Sequence, residues 1–487
     1  VAMLFNSYEF VFFFLPVTFA VFFVLARFRH RLAAFWLAAA SFFFYGWWAP
    51  RYVLLLLASI AFNYVMGLAI AHARSPDGAT PRARLLLIAA LVGDLALLGY
   101  YKYTDFFISS VNAATGLEWS LTHIVLPLGI SFFTFTQIAF LVDVYRGIAR
   151  EYNPIHYTLF ASYFPHLIAG PVLHHKQMMP QFDKPETYRI DIANINSGMT
   201  IFAIGLFKKV IVADQFALYA NPVFTAAQAG AHLPFAEAWI GALAYTFQLY
   251  FDFSAYSDMA IGLSRLFNVE LPVNFNSPYK ALNIIDFWRR WHMTLSKFLR
   301  DYLYISLGGN RRGRTRRYVN LMLTMVLGGL WHGANWTFVL WGTLHGLYLV
   351  VNHAWQALRE ALALPKIRGS GFIAGAITFV AVVVAWVVFR ANDISSAWSL
   401  IQGMAGWNGF RSPAGLAPHV AASGAVVMAW LAGGIAVSKM LPNSLEIAAA
   451  LENWRYRGRA LGFAAGALFV YVVLNFNRIT TFIYFQF

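Results

Sequence analysis

His332 stands in the run WHGANW (Trp331 to Trp336), between two long apolar stretches. An imidazole titrates near neutrality, so it can take a proton from a hydroxyl and return it to a leaving group. The plainer reading is a packing histidine hydrogen-bonded to a neighbouring helix. The glycines around it, Gly328, Gly329 and Gly333, favour the chemical one. A second histidine, His292, lies in FWRRWHMTLSKFLRDYLY beside Arg289, Arg290 and Trp291. Taken alone it reads as an interfacial residue of a basic, aromatic belt. His345 follows His332 by thirteen residues. On one straight helix that interval rotates the two rings about 220° apart, so they converge only where the chain breaks. Gly333 and Asn335 permit such a break.

Other chemistries are less well supplied. The chain has no Cys, which removes thiolate nucleophiles, Cys-ligated zinc and disulfides together. No histidine pair has the HExxH spacing of a zinc hydrolase. Adjacent His174 and His175 point apart on regular structure, so no metal is expected. Asp252 and Asp258, in YFDFSAYSDMAIG, lie within an apolar segment and need partners. A structural pairing with Arg or Tyr is favoured over direct support of catalysis, and Asp94 is read the same way. GGNRRGRT (Gly308 to Thr315) nearly matches a phosphate-binding loop, with Arg314 where the lysine would be. No strand precedes it, which excludes an ATPase. There is no GxSxG elbow and no dinucleotide fingerprint.

Nine basic residues and one acidic residue, Asp301, fall between Arg289 and Arg317. Arg289, Arg290, Arg311, Arg312 and Arg314 in this segment suit a funnel for a polyanionic substrate such as a phosphopantetheine thioester or coenzyme A. The plainer reading is a cytoplasmic loop that fixes topology.

The elements that must hold these residues are membrane helices. Of 487 residues 60% are hydrophobic, 18% aromatic and only 12% charged. Soluble domains carry about 25% charged residues, so this composition requires a bilayer. The net charge of +15 therefore reports loop topology before it reports nucleic acid, and no nucleic-acid partner is expected. Tyr8 to Ala26 lacks the basic start of a signal peptide and is followed by Arg27, Arg29 and Arg31. It reads as a retained span with a cytoplasmic C-terminal end. Further candidate spans are 32–48, 51–72, 85–101, 121–145, 195–213, 238–266, 318–331, 335–352, 371–390, 420–438 and 459–477. Arg74, Arg82, Arg84, Arg146 and Arg150 make alternate loops basic, which sets the N-terminus outside. The expectation is an all-α polytopic membrane protein of about ten to twelve spans, forming one domain over 1–487.

Three segments break this pattern. Residues 156–181 carry Pro165, Gly170, Pro171 and Pro180 among apolar residues and predict a re-entrant or broken segment. In 283–304, Phe287, Trp291, Leu295, Phe298 and Tyr302 recur at three- and four-residue steps, which predicts one amphipathic helix. Residues 328–336 interrupt a span, and irregular backbone at membrane depth needs protein or a watery cavity around it.

Together these segments resemble the membrane-bound O-acyltransferase family, in its bacterial polysaccharide-acetylating branch. The likeness runs from LFNSYEFVFFFLP through LPLGISFFTFTQIAFLVDVYRG and YFPHLIAGPVLHHKQMMPQF to FDFSAYSDMAIG. It continues through FWRRWHMTLSKFLRDYLYISLGG and MVLGGLWHGANWTFVLWGTLHG to the closing FIYFQF. His174 departs from it, standing where relatives carry Arg. The resemblance implies that His332 is the signature histidine and His292 a second functional one. It implies a ring of helices around a thin central region, with a cytoplasmic funnel leading to His332. The donor would be acetyl-CoA or a carrier-bound acyl thioester, with no bound cofactor. The acceptor would be an extracytoplasmic polysaccharide such as alginate, approached from the other face of the bacterial inner membrane. An extracytoplasmic partner resembling an SGNH hydrolase would complete the transfer. His332 is then expected to act as general base and His292 to orient or polarise the reacting groups. Asn335 would help the developing oxyanion, with His345 and Asp252 as possible support. The rival is a transporter or polysaccharide export component, using Asp252 and Asp258 for ion coupling. Internal repeats would mark a transporter, and none is visible.

Overall fold

A computed structural model describes residues 3–76, 78–149, 153–363, 369–410, 424–452, 458–476 and 482–483. Arg150 and the last four residues of the closing FIYFQF motif lie outside them. The chain divides into two compact units. One comprises residues 1–206, 256–273 and 448–485; the other comprises 207–255, 274–447 and 486–487.

The first unit is built on helices α1 (Phe10–Ala26), α2 (His30–Trp48), α3 (Pro50–Ala73) and α4 (Pro81–Thr115). Helices α5 (Ile130–Tyr145), α6 (Pro154–Ser162) and α7 (Ile192–Phe207) follow. Proline at the first turn of α3, α4 and α6 starts each of them, because its missing N–H is one of the donors a helix start leaves unpaired. Phe5, Phe10, Phe14, Phe44 and Phe164 make one buried aromatic core. The same unit holds a polar ladder. Asn63 donates to Asp94 at 2.8 Å, Gln137 donates to Ser59 at 2.9 Å, and Tyr157 donates to Gln137 at 3.3 Å. Each of these buried side chains thereby has at least one polar partner, while Asn63 Oδ1 and Asp94 Oδ2 accept no hydrogen bond. Asp94 is tied to a neighbouring amide, the kind of partner an apolar segment demands of it.

The second unit holds α8 (Asp214–Gln228) and most of the long helix α9 (Phe235–Leu266). Then come two short helices, α10 (Ile284–Trp288) and α11 (Met293–Phe298). Helices α12 (Arg314–His332), α13 (Trp336–Ala361), α14 (Ser370–Arg390), α15 (Ile394–Met404) and α16 (Gly424–Met440) complete it. Helices α12 and α13 form an antiparallel hairpin that packs almost backbone to backbone. A methyl group added at Gly329 would strike the Phe338 carbonyl oxygen, and one at Gly342 would strike the Met325 carbonyl oxygen. Only glycine allows that approach. Two further helices close the chain, α17 (Ser444–Glu452) and α18 (Gly458–Val473).

The protein is all-α among the described residues and a multi-pass membrane protein. Helices α3, α4 and α14 are each long and apolar enough to cross a bilayer, and α16 with the start of α17 makes a fourth candidate bent by 57°. Their outward faces carry Leu54, Val65, Leu85, Val92, Phe372 and Ile377, all exposed. Such faces suit lipid, not water.

Three expectations change in detail. Residues 121–129 are irregular and the helix begins at Ile130. Pro127 and Gly129, at φ +74°, delay it, and a side chain at Gly129 would meet the Leu167 carbonyl. Residues 283–304 are not one amphipathic helix. The chain turns between α10 and α11, with His292 in the left-handed region at φ +42°, and a π-helical turn (Leu299–Tyr304) follows. The interruption at 328–336 is shorter than the glycines suggest, because Gly328 and Gly329 remain helical and only Gly333 to Asn335 break the chain. The broken segment at 156–181 is present: α6 stops at Ser162 and a buried, turn-rich stretch leads to a single helical turn (His175–Met178). The expected span at 420–438 is helical from Gly424; 420–423 lie outside the described residues, as does the last residue of 459–477.

Candidate functional site

The break after His332 decides the geometry. Helix α12 ends on this residue, Gly333 is fully extended at φ −163°, and Asn335 starts α13 by accepting from the Thr337 N–H at 3.0 Å. A side chain at Gly333 would collide with the Phe338 ring. The turn presents His332 to a box of rings. Its imidazole centroid lies 4.8 Å from Trp331, 5.0 Å from Trp341, 5.3 Å from Phe389 and 6.4 Å from His292. Both histidines are buried, His292 fully. At the C-terminal end of α12, the last carbonyls carry partial negative charge, which complements an imidazolium formed there.

His292 is held by a residue that sequence reading missed. Its Nδ1 lies 3.0 Å from Asn274 Oδ1, and the same oxygen accepts from the Thr294 hydroxyl at 2.9 Å and the Thr294 N–H at 3.3 Å. The two Thr294 donors fix that end of the amide as oxygen, so the ring must donate from Nδ1. The Nε2 atom then carries the lone pair. A left-handed backbone at a non-glycine residue costs of order 1–3 kcal/mol. Here the strain accompanies a buried imidazole of defined tautomer. Nothing in the spacing of Asn274 and His292, eighteen residues apart, announces this contact.

His345 joins the cluster. Its ring lies 4.8 Å from the Trp341 centroid, so one indole touches both His332 and His345. Phe287 and Trp288 of α10 and Trp386 of α14 enclose its other sides. The chain break therefore does what the straight-helix rotation forbids.

The remaining expected residues fall elsewhere. Asn335 uses its oxygen as the α13 cap and donates one amide hydrogen to the Asn392 carbonyl at 2.8 Å. One hydrogen is left for other use. Asp252 pairs with Lys209 at 2.8 Å, and Lys209 also reaches Asp214 at 2.8 Å. The partner is a lysine on a π-helical turn (Lys208–Ala213), not the expected Arg or Tyr. Asp258 is buried on the part of α9 that belongs to the first unit. In that unit His175 meets Asp143 at 3.2 Å, and His174 caps the turn that His175 begins. Among the described residues no cluster of three or more His, Cys, Asp or Glu is placed to hold a metal ion.

Arg290 bonds to Asp286 at 2.9 Å, Arg300 to Asp301 at 2.7 Å, and Arg317 donates towards the His353 ring at 2.9 Å. Arg289, Arg311, Arg312, Arg314 and Arg316 are exposed. Three glycines at positive φ, Gly308, Gly309 and Gly313, shape the loop that carries most of them.

His332, at the break of the hairpin, and His292, at the turn between α10 and α11, bring two buried imidazoles together among aromatic rings, an arrangement chemically able to move a proton. The profile of the membrane-bound O-acyltransferase family matches residues 145–398, and the chain belongs to that family. It is an O-acyltransferase of the bacterial inner membrane. It is 46% identical to the peptidoglycan O-acetyltransferase of Helicobacter pylori over 84% of this chain and 80% of that one. It is 44% identical to a protein of Pseudomonas aeruginosa named probable alginate O-acetylase, over 82% and 75% of the two chains. A teichoic acid D-alanyltransferase of Streptococcus thermophilus is 26% identical over 55% of this chain and 69% of its own.

One expected result follows from the Asn274 contact. Asn274→Ala releases His292 from its tautomer and lowers turnover about tenfold, with substrate KM little changed. Asn274→Asp keeps an acceptor for Nδ1–H and recovers most of that loss. Equal damage from both variants, measured at matched membrane levels, would reduce Asn274 to packing.

Proposed function

We propose that the enzyme moves an acyl group, most simply acetyl, from a cytoplasmic thioester towards hydroxyls of an extracytoplasmic polysaccharide. The donor is acetyl-CoA or a carrier-bound thioester. The acceptor class is an alginate-like exopolysaccharide or a cell-wall glycan, as the names of the relatives indicate. The observation that carries this reading is the pair of buried histidines with ring centroids 6.4 Å apart. His332 takes the proton of the attacking hydroxyl, the oxygen bonds to the thioester carbonyl carbon, and the C–S bond breaks. The same proton then leaves with the thiolate, so the base is regenerated. His292 orients or polarises the reacting groups through Nε2. The second amide hydrogen of Asn335 is available to a developing oxyanion.

In this reading the whole of 1–487 works as one catalytic domain, supported by a family match that draws residues from both compact units. About ten to twelve spans ring a central cavity, with the broken segment at 156–181 re-entrant. A partner resembling an SGNH hydrolase completes the transfer outside. The test is the ester-linked acetyl content of secreted polymer when the only copy of the enzyme carries His332→Ala. Loss of acetyl with polymer still secreted supports acyl transfer. Loss of the polymer itself points to export.

The exposed arginines gather the anionic donor. Arg311→Gln with Arg312→Gln raises donor KM several-fold and leaves turnover at saturating donor nearly unchanged, because uniform binding is lost. Added salt reproduces the effect in the wild type, since surface fields are screened beyond about 8 Å at physiological ionic strength. Unchanged donor kinetics in a correctly inserted variant would leave these residues as topology signals only.

A further inference from the structure

His345 is a buried imidazole near His332 to which the acid–base steps give no task. It is completely enclosed, and neither ring nitrogen has a hydrogen-bond partner. The three indoles around it, Trp288, Trp341 and Trp386, are in the same state, and the first two stand closest. The Nε1 atoms of Trp288 and Trp341 are buried and unpartnered, and the ring centroids of these two and His345 stand 4.8, 5.1 and 5.9 Å apart. Buried polar atoms are seldom left unpaired, because each costs about 1–3 kcal/mol in lost solvation. Three such side chains in one triangle therefore mark a place where something polar is received. A neutral imidazole supplies one N–H and one lone pair, and each indole supplies one N–H. The set offers three donors and one acceptor and carries no acidic residue. Its complement is an uncharged group that presents an oxygen and one hydrogen.

We propose that His345, Trp288 and Trp341 bind an uncharged amide or hydroxyl of a substrate beside the indole that also contacts His332. This rests on the acyl-transfer reading above and adds to it a binding site. Two sources have that chemistry: the amide-bearing arm of a thioester donor, and a hydroxyl of the glycan acceptor. A charged group does not fit, since the triangle itself holds no charged side chain and burying a lone ion is prohibitively costly.

The test uses the full chain in membranes, with acetyl-CoA as donor and an alginate oligosaccharide as acceptor. His345→Phe fills the aromatic cage but removes both nitrogens, whereas His345→Gln restores a donor and an acceptor. The expected result is about a tenfold loss with Phe, largely recovered with Gln. A weaker acetyl-CoA dissociation constant, measured in the His332→Ala background where turnover is slowed about a hundredfold or more, assigns the site to the donor. A raised acceptor KM with unchanged donor binding assigns it to the acceptor. Binding and both KM values within twofold of wild type in His345→Phe, at the same melting temperature, would overturn the proposal. Should that variant fail to fold, Trp288→Phe keeps a ring and deletes one N–H, and it is read by the same criteria. Near-normal acylation by the His332→Ala enzyme would instead remove His332 from the mechanism, and the binding measurement keeps the two failures separate.

Discussion

Replacing His332 with alanine lowers ester transfer by about 10²- to 10⁴-fold, the range by which a positioned general base accelerates a reaction. The protein still inserts, because the substitution ends α12 at the same place and Asn335 still caps α13 through its own side chain. The cavity left among Trp331, Trp341 and Phe389 is paid in stability, not in topology. His332→Gln is as inactive as His332→Ala, since an amide fills much of the ring's volume but does not accept a proton at neutral pH. The measurement is alkali-labile acetyl on secreted polymer, normalised to the amount of enzyme in the membrane. Near-normal acetylation in either variant would remove His332 from the mechanism. His292 then becomes the candidate base, as its Nε2 lone pair is already defined by the bond to Asn274.

The legible and illegible parts of this site differ in physical kind. Apolar run length located α3, α4 and α14, because a bilayer imposes a length on helices that cross it. Glycine placement located the break at His332, since Gly333 fits an extended turn against the Phe338 ring where no side chain does. What periodicity concealed was the turn at His292. Phe287, Trp291, Leu295 and Phe298 all remain buried on both sides of it, so the apolar spacing runs through the interruption without a mark. Partner choice was concealed too. Asn274 reaches His292 across a loop, and Lys209 reaches Asp252 from a π-helical turn. Such contacts depend on tertiary packing, which spacing along one element does not encode. Residues 121–129 passed for helix on hydropathy alone, although Pro127 and Gly129 were the breakers.

The Lys209 cluster gives the second large effect, on folding. Lys209 and Asp252 side chains are each 2% exposed, and Asp214 is 12% exposed. Lys209→Met removes the buried cation that both carboxylates share. Breaking a buried pair by removing one partner costs about 3–5 kcal/mol, a large share of the 5–15 kcal/mol that holds a typical domain together. The expected result is a several-fold fall in the amount of folded enzyme in the membrane. Adding Asp252→Asn and Asp214→Asn to that variant restores most of it, because neutral amides are far cheaper to bury than unpaired ions. Asp252→Asn alone is mild, as Lys209 keeps Asp214, and it leaves acylation per folded molecule within about twofold of wild type. Folded amounts are read by detergent size-exclusion chromatography and activity by ester content. An Asp252→Asn enzyme that folds normally but has lost its activity would move this carboxylate from the scaffold into the chemistry. Restoration by the triple variant, with activity intact, makes the cluster a device for anchoring the π-helical turn to α9, and leaves catalysis to the histidines.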